Sequence, residues 1–164
     1  MGYRNKTYVI FDGDNDMWAY GFMLGWVKND HVEFDFHNAH DIKAITDRAS
    51  EDAVKRSLRE RLKNSKQAIV LIGDSTKNLF RFVRWEIETC LEMGIPIVAV
   101  NLNGLRRLDD DLCPPILKGT TTMHVAFKAK IIQKALDEFC ENFGSYRDKT
   151  DWYYYDSTYS ALGL

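Results

Sequence analysis

Residues 68–100 limit what this chain can fold into more than any other stretch. They read AIVLIG, then DSTKN, then LFRFVRWEIETCLEMG, then IPIVAV. Two apolar runs rich in β-branched residues, separated by a polar turn and a helical pattern, specify a β-α-β unit. The runs are apolar at every position rather than at alternate ones. Strands of that kind are covered on both faces, which is the condition of a parallel sheet.

The same alternation continues on both sides. Residues 6–11 (KTYVIF) carry no charge after Lys6 and predict a first buried strand, which ends in the acidic turn DGDND at 12–16. Residues 17–27 (MWAYGFMLGWV) predict a helix, with close packing expected at Gly21 and Gly25. Over 30–37, Val32, Phe34 and Phe36 alternate with His31, Glu33 and Asp35, a second-strand pattern. HNAHDIKAITDRA then reads as a loop with at most one helical turn. From Ser50 the pattern is helical. Ser50 can cap, Glu51 and Asp52 suit the positive first turn, and Val54, Leu58 and Leu62 recur on one face. After residue 100 come a long loop with Pro114 and Pro115, a short strand at 124–127, and an amphipathic helix at 128–143.

The expected architecture is an α/β domain over residues 1–143, with a mostly parallel central sheet covered on both faces. Residues 144–164 form an extension with WYYYD, Tyr146 and Tyr159. It is too aromatic for a disordered tail and is expected to pack on the domain or at a subunit contact. Open parallel sheets bind ligands outside the carboxyl ends of their strands, so the turn after the first strand and the loop 73–78 mark the functional edge.

Charge and composition exclude several classes. The 22 Lys and Arg residues are interleaved with 24 Asp and Glu, leaving a net charge of −2 and no footprint for nucleic acid or an anionic membrane. No apolar run approaches the ~20 residues that span a bilayer. The N-terminal stretch lacks a secretory core, so a cytoplasmic protein is expected. Cys90, Cys113 and Cys140 are widely spaced and include no C-x-x-C pair, which argues against a disulfide framework or zinc site. His31, His37, His40 and His124 do not fall at metal-ligand spacings, and DGDND lacks the later glycine and glutamate of a calcium loop. No metal is expected.

Within the helix of the central unit, Val83, Ile87, Cys90 and Leu91 form an apolar stripe. At ~100° per residue, Glu86 lies at the border of that stripe, one turn after Phe82. Periodicity alone allows two readings of Glu86: a solvated border residue paired with Arg81 or Lys77, or a buried carboxylate held for chemistry.

The residues around Glu86 resemble the TIR domain superfamily, most closely the TIR-like proteins of bacterial Thoeris-type anti-phage defence. The resemblance is carried by the strand AIVLIG, by Thr76-Lys77-Asn78, and by Phe82-Val83-Arg84-Trp85-Glu86-Ile87. The first strand YVIF with its acidic turn and the order of elements support it. It covers roughly residues 7–143. The family's helix motif is Trp, two or three variable residues, then Glu and an aliphatic residue. Here Phe82 stands where Trp is common, keeping the ring and losing the indole donor.

The resemblance implies a flavodoxin-like three-layer sandwich that cleaves NAD at its nicotinamide–ribose bond and makes an ADP-ribose-derived, cyclised or conjugated signal for a separate effector. NAD enters as substrate, so no resident cofactor is expected. Glu86 occupies the position of the catalytic glutamate. Nicotinamide leaves as a neutral group, and one preorganised carboxylate can stabilise an oxocarbenium-like ribose. Phe11, Asp12, Thr76 and Phe82 are expected to bind the rest of the dinucleotide. Self-assembly into a homo-oligomer is expected as well.

Two other readings stand beside this one. The first is a TIR-like signalling or assembly module without chemistry, for which the aromatic extension would supply an interface. The second is a phosphatase, because VIF-Asp12-Gly13-Asp14 is similar to the strand-then-D-x-D start of haloacid dehalogenases. Asp16 stands where that family has Thr or Val, and the later acidic run 109–111 follows a loop rather than a strand.

Overall fold

The computed structural model describes residues 6–29, 35–37, 50–79 and 81–164. Most of the predicted second strand and the loop that follows it, with His31 and His40, lie outside the described residues. Five parallel strands follow the order expected of the fold, and a sixth is added at one edge. They are β1 (Lys6–Ile10), β2 (Asp35–His37), β3 (Gln67–Ile72), β4 (Ile97–Asn101), β5 (Thr122–Ala126) and β6 (Trp152–Tyr153). Their order in the sheet is β2-β1-β3-β4-β5-β6, and every pair is parallel. The first five strands thus have the 2-1-3-4-5 order of flavodoxin-like folds.

The apolar runs are buried as their composition requires: β3, β4 and β5 are covered at every position. Alternate side chains feed two cores. Val9, Phe11, Ile69, Leu71, Val98 and Val125 face α1 (Met17–Lys28) and α4 (Ala129–Lys134). Tyr8, Ile10, Val70, Ile72 and Ala99 face α2 (Glu51–Leu62) and α3 (Phe82–Glu92). Helices on both faces make the three layers.

Local chemistry sets the start of α2. The Ser50 hydroxyl accepts the Ala53 N–H at 3.3 Å, and Val54, Leu58 and Leu62 face the sheet. On α1 the expectation of close packing at Gly21 and Gly25 is corrected. A Cβ at either position would meet nothing within 4 Å, because both glycines lie on a face that also exposes Trp18 and Phe22. α4 continues past Lys134 as a wider π-helix over Ala135–Cys140. The buried positions 131, 132, 135, 136, 139 and 140 repeat every four residues, and wider winding keeps that spacing on one side.

The chain from 144 onward adds β6 beside β5 and ends in α5 (Asp156–Ala161). Tyr159 is fully buried, and its hydroxyl accepts the Ala126 N–H at 3.1 Å. Tyr146 and Trp152 pack edge to face, and Tyr146 packs in turn on Phe139. Tyr155 remains 72% exposed. Among the described residues no helix is long and apolar enough to cross a membrane.

Candidate active site

The carboxyl ends of β1 and β3 hold the two loops that build the site. After β1, Asp12 organises its own turn. One carboxylate oxygen accepts the N–H groups of Asp14 (3.0 Å) and Asn15 (3.3 Å), and the other accepts the Asn15 amide at 2.8 Å. This is the Asx chemistry that bends a chain without a sheet partner. After β3, Thr76 plays the matching part. Its hydroxyl accepts the Gly73 N–H at 2.9 Å and donates to the Leu71 carbonyl at 3.4 Å. Both residues are almost fully buried and already committed to backbone.

Asp16 lies between the two loops. It occupies the N-cap position of α1, yet its side chain caps nothing. The carboxylate instead rests over Gly73, where any Cβ would fall on its oxygens. A Cβ at 73 would therefore displace the Asp16 carboxylate. Burial raises the Asp16 pKa, the neighbouring charges of Asp12 and Asp74 raise it further, and the Thr76 hydroxyl opposes them. Asp16, Trp18, Asp74, Ser75 and Asn103 contribute to the wall of a cleft of about 470 Å³ at this edge.

Glu86 is placed differently. It is 9% exposed, on the face of α3 turned toward the sheet. Neither cation offered by the sequence pairs with it. The Lys77 ammonium donates to the Asp111 carbonyl at 2.5 Å, and the Arg81 guanidinium lies over the rings of Phe82 (5.1 Å) and Trp85 (5.5 Å). Burial pushes the Glu86 pKa up to about 8, and the Tyr8 hydroxyl beside it acts in the opposite direction. Neither Glu86 Oε2 nor Tyr8 Oη completes a hydrogen bond of ordinary geometry. The Tyr8 pKa is raised as well, first by burial and then by Glu86. The two are polar neighbours in the core layer between the sheet and α3.

The five residues expected at the site thus fall into separate groups. Asp12 and Thr76 come together around Asp16 at the strand ends. Phe82 packs edge to face on Trp85 at 5.7 Å, at the start of the helix that carries Glu86. Phe11 is a core residue on the α1 side, stacked on Tyr20 at 4.9 Å. Tyr8 and the stripe around Glu86 lie on the opposite face of the sheet. Glu86 does not line the 470 Å³ cleft. Sequence reasoning missed Asp16, Trp18 and Asn103. DGDND marked the turn, but the inward orientation of Asp16 depends on Gly73, 57 positions away in the sequence.

A family model described as the TIR-like domain of the Thoeris protein ThsB matches residues 8–107. The match runs from β1 through β4 and includes both loops and Glu86. No curated protein sequence matches the chain.

Proposed function

The chain belongs to the TIR-like domain family of the Thoeris protein ThsB, a family of anti-phage defence, and from that premise we propose that it cleaves NAD at the nicotinamide–ribose bond. The product in this reading is an ADP-ribose-derived, cyclic signal that activates a separate effector in the cytoplasm. The carrying observation is Glu86: a carboxylate inside the family match, on a helix opening at the ligand edge, buried without a cationic partner among the described residues. A structural carboxylate at such depth is normally paired. One kept unpaired is available to a developing positive charge, and the ribose of the reaction supplies one. The cationic pyridinium of NAD would also favour the ionised form of Glu86 on approach.

The test is nicotinamide release from NAD by purified protein, with and without lysate from phage-infected cells. Glu86→Gln is expected to lose ~10²–10³-fold of the rate, the scale of removing one electrostatic stabiliser. Undiminished release by the variant would remove Glu86 from the mechanism.

A second reading, a self-assembling module without chemistry, is favoured by one observation. Glu86, raised in pKa by its burial, lies outside the cleft. Absence of nicotinamide release under every condition, together with a defined oligomer in solution, would support that reading.

A further inference from the structure

Two enclosed polar atoms share the layer between the sheet and α3. Among the described residues, neither Glu86 Oε2 nor Tyr8 Oη has a hydrogen-bond partner. Tyr8 belongs to β1 and is 1% exposed, packed in that layer with Val83, Ile87 and Cys90 of the helix. Glu86 is buried on the same helix. Two unpaired atoms at such depth are costly, and one hydrogen bond between them removes both costs. Ionisation fixes its direction, because a carboxylate only accepts and a phenol donates. Burial, then the neighbouring Glu86 and Cys90, hold the proton on the Tyr8 oxygen. Arg61 of α2 opposes them with the smallest influence.

The other charged groups around this layer are engaged elsewhere. Lys77 donates to the Asp111 carbonyl, and Arg81 lies over Phe82 and Trp85. On α2, Lys55 pairs with Glu51 and Glu88, and Arg59 pairs with Glu92. Burial keeps Cys90 a neutral thiol.

We propose that Tyr8 is a positioning residue: its hydroxyl donates to Oε2 of the ionised Glu86, orients the carboxylate and leaves Oε1 for the reacting ribose. This role rests on the reading of Glu86 as the group that acts on that ribose. Tyr8 itself touches no substrate. It supplies a donor that favours the charged carboxylate at a depth where desolvation favours the neutral form.

Tyr8→Phe removes the donor and keeps the ring. The experiment measures kcat and KM for nicotinamide release from NAD against pH, in wild type and variant. Loss of a hydrogen bond to a charged group corresponds to about one pH unit or more, so the acid limb of kcat is expected to move up by about that much. On that limb kcat falls roughly tenfold, while KM changes less than about twofold. A lowered kcat with the limb in place marks a merely structural role and overturns the proposal. A second readout needs no activity. The Glu86 carboxyl is titrated by NMR in glutamate-labelled protein without NAD, its resonance assigned through Glu86→Gln. Its midpoint is expected to rise by about one unit in Tyr8→Phe, and an unmoved midpoint overturns the proposal. Thermal melts check that Tyr8→Phe folds. If it does not, Tyr8→3-fluorotyrosine decides: its hydroxyl is the stronger donor, so the midpoint is expected to fall, and one that stays overturns the role. No release by wild type, with a midpoint that moves in Tyr8→Phe, removes the NAD reading and keeps the hydrogen bond. Release that depends on Glu86, with limb and midpoint both unmoved in Tyr8→Phe, removes the positioning role and leaves the NAD reading standing.

Discussion

Glu86 and His124 are buried groups whose pKa values move in opposite directions for the same physical reason. Burial penalises the charged form, so the carboxyl rises to about 8 and the imidazole falls to about 4. For Glu86 the folded pKa exceeds the ordinary 4.5, so between those values the folded chain binds more protons than the unfolded one. Stability is then lost as pH rises from 4.5 toward 8. Glu86→Gln cannot ionise and is expected to melt higher than wild type at pH 8, with a difference that shrinks toward pH 5. About 1 kcal/mol moves the Tm of a chain this size by ~2–4 °C, so the gain is measurable by calorimetry. A wild-type melting temperature that is flat across this range would refute the burial argument. For His124 the sign reverses. Its folded pKa lies below the ordinary 6.5, so its contribution is complete above 6.5 and is lost as pH falls toward 4. Asp151, 3.7 Å away, favours the protonated ring but does not outweigh its desolvation. His124→Gln is expected to flatten the acid limb of the stability profile between those two values.

The two strand-end loops are built as a pair at the scale of elements. Asp12 shapes the first, Thr76 closes the second, and Asp16 of the first sits on Gly73 of the second. Gly73→Ala therefore overpacks the contact and displaces a carboxylate. The expected cost is ~1–3 kcal/mol, read as a lowered denaturation midpoint at unchanged slope. A neutral substitution would mean that Asp16 is free to turn outward. The helices show the reach of sequence pattern and its limit. Ser50, Val54, Leu58 and Leu62 announced α2 and its sheet-facing side. Residues 128–143 announced a helix, yet a helical wheel does not distinguish a 3.6-residue winding from the wider turns over Ala135–Cys140. Gly21 and Gly25 were legible as special positions in α1, but their open surroundings were not, because a glycine pattern carries no information on what stands opposite.

The chain beyond residue 143 closes one edge of the whole molecule. It supplies β6, the buried Tyr159 and the Tyr146–Trp152 contact. Truncation after Gly144 removes all three and uncovers the edge of β5. Loss of one buried large aromatic alone costs ~3–5 kcal/mol, so the truncated protein is expected to melt at least ~6 °C lower. An unchanged melt would mean that these contacts contribute nothing net. The sequence by itself determined the β-α-β alternation, the fully buried parallel strands and the family to which the chain belongs. Those are properties of local periodicity and short motifs, which a linear pattern records. Only the tertiary structure decided that Phe11 and Glu86 lie on opposite faces of the sheet, that Glu86 faces Tyr8 rather than Arg81 or Lys77, and that Asp16 turns from its helix to Gly73. Each depends on which surfaces meet across distant segments, and on the cost of desolvating charge where they meet.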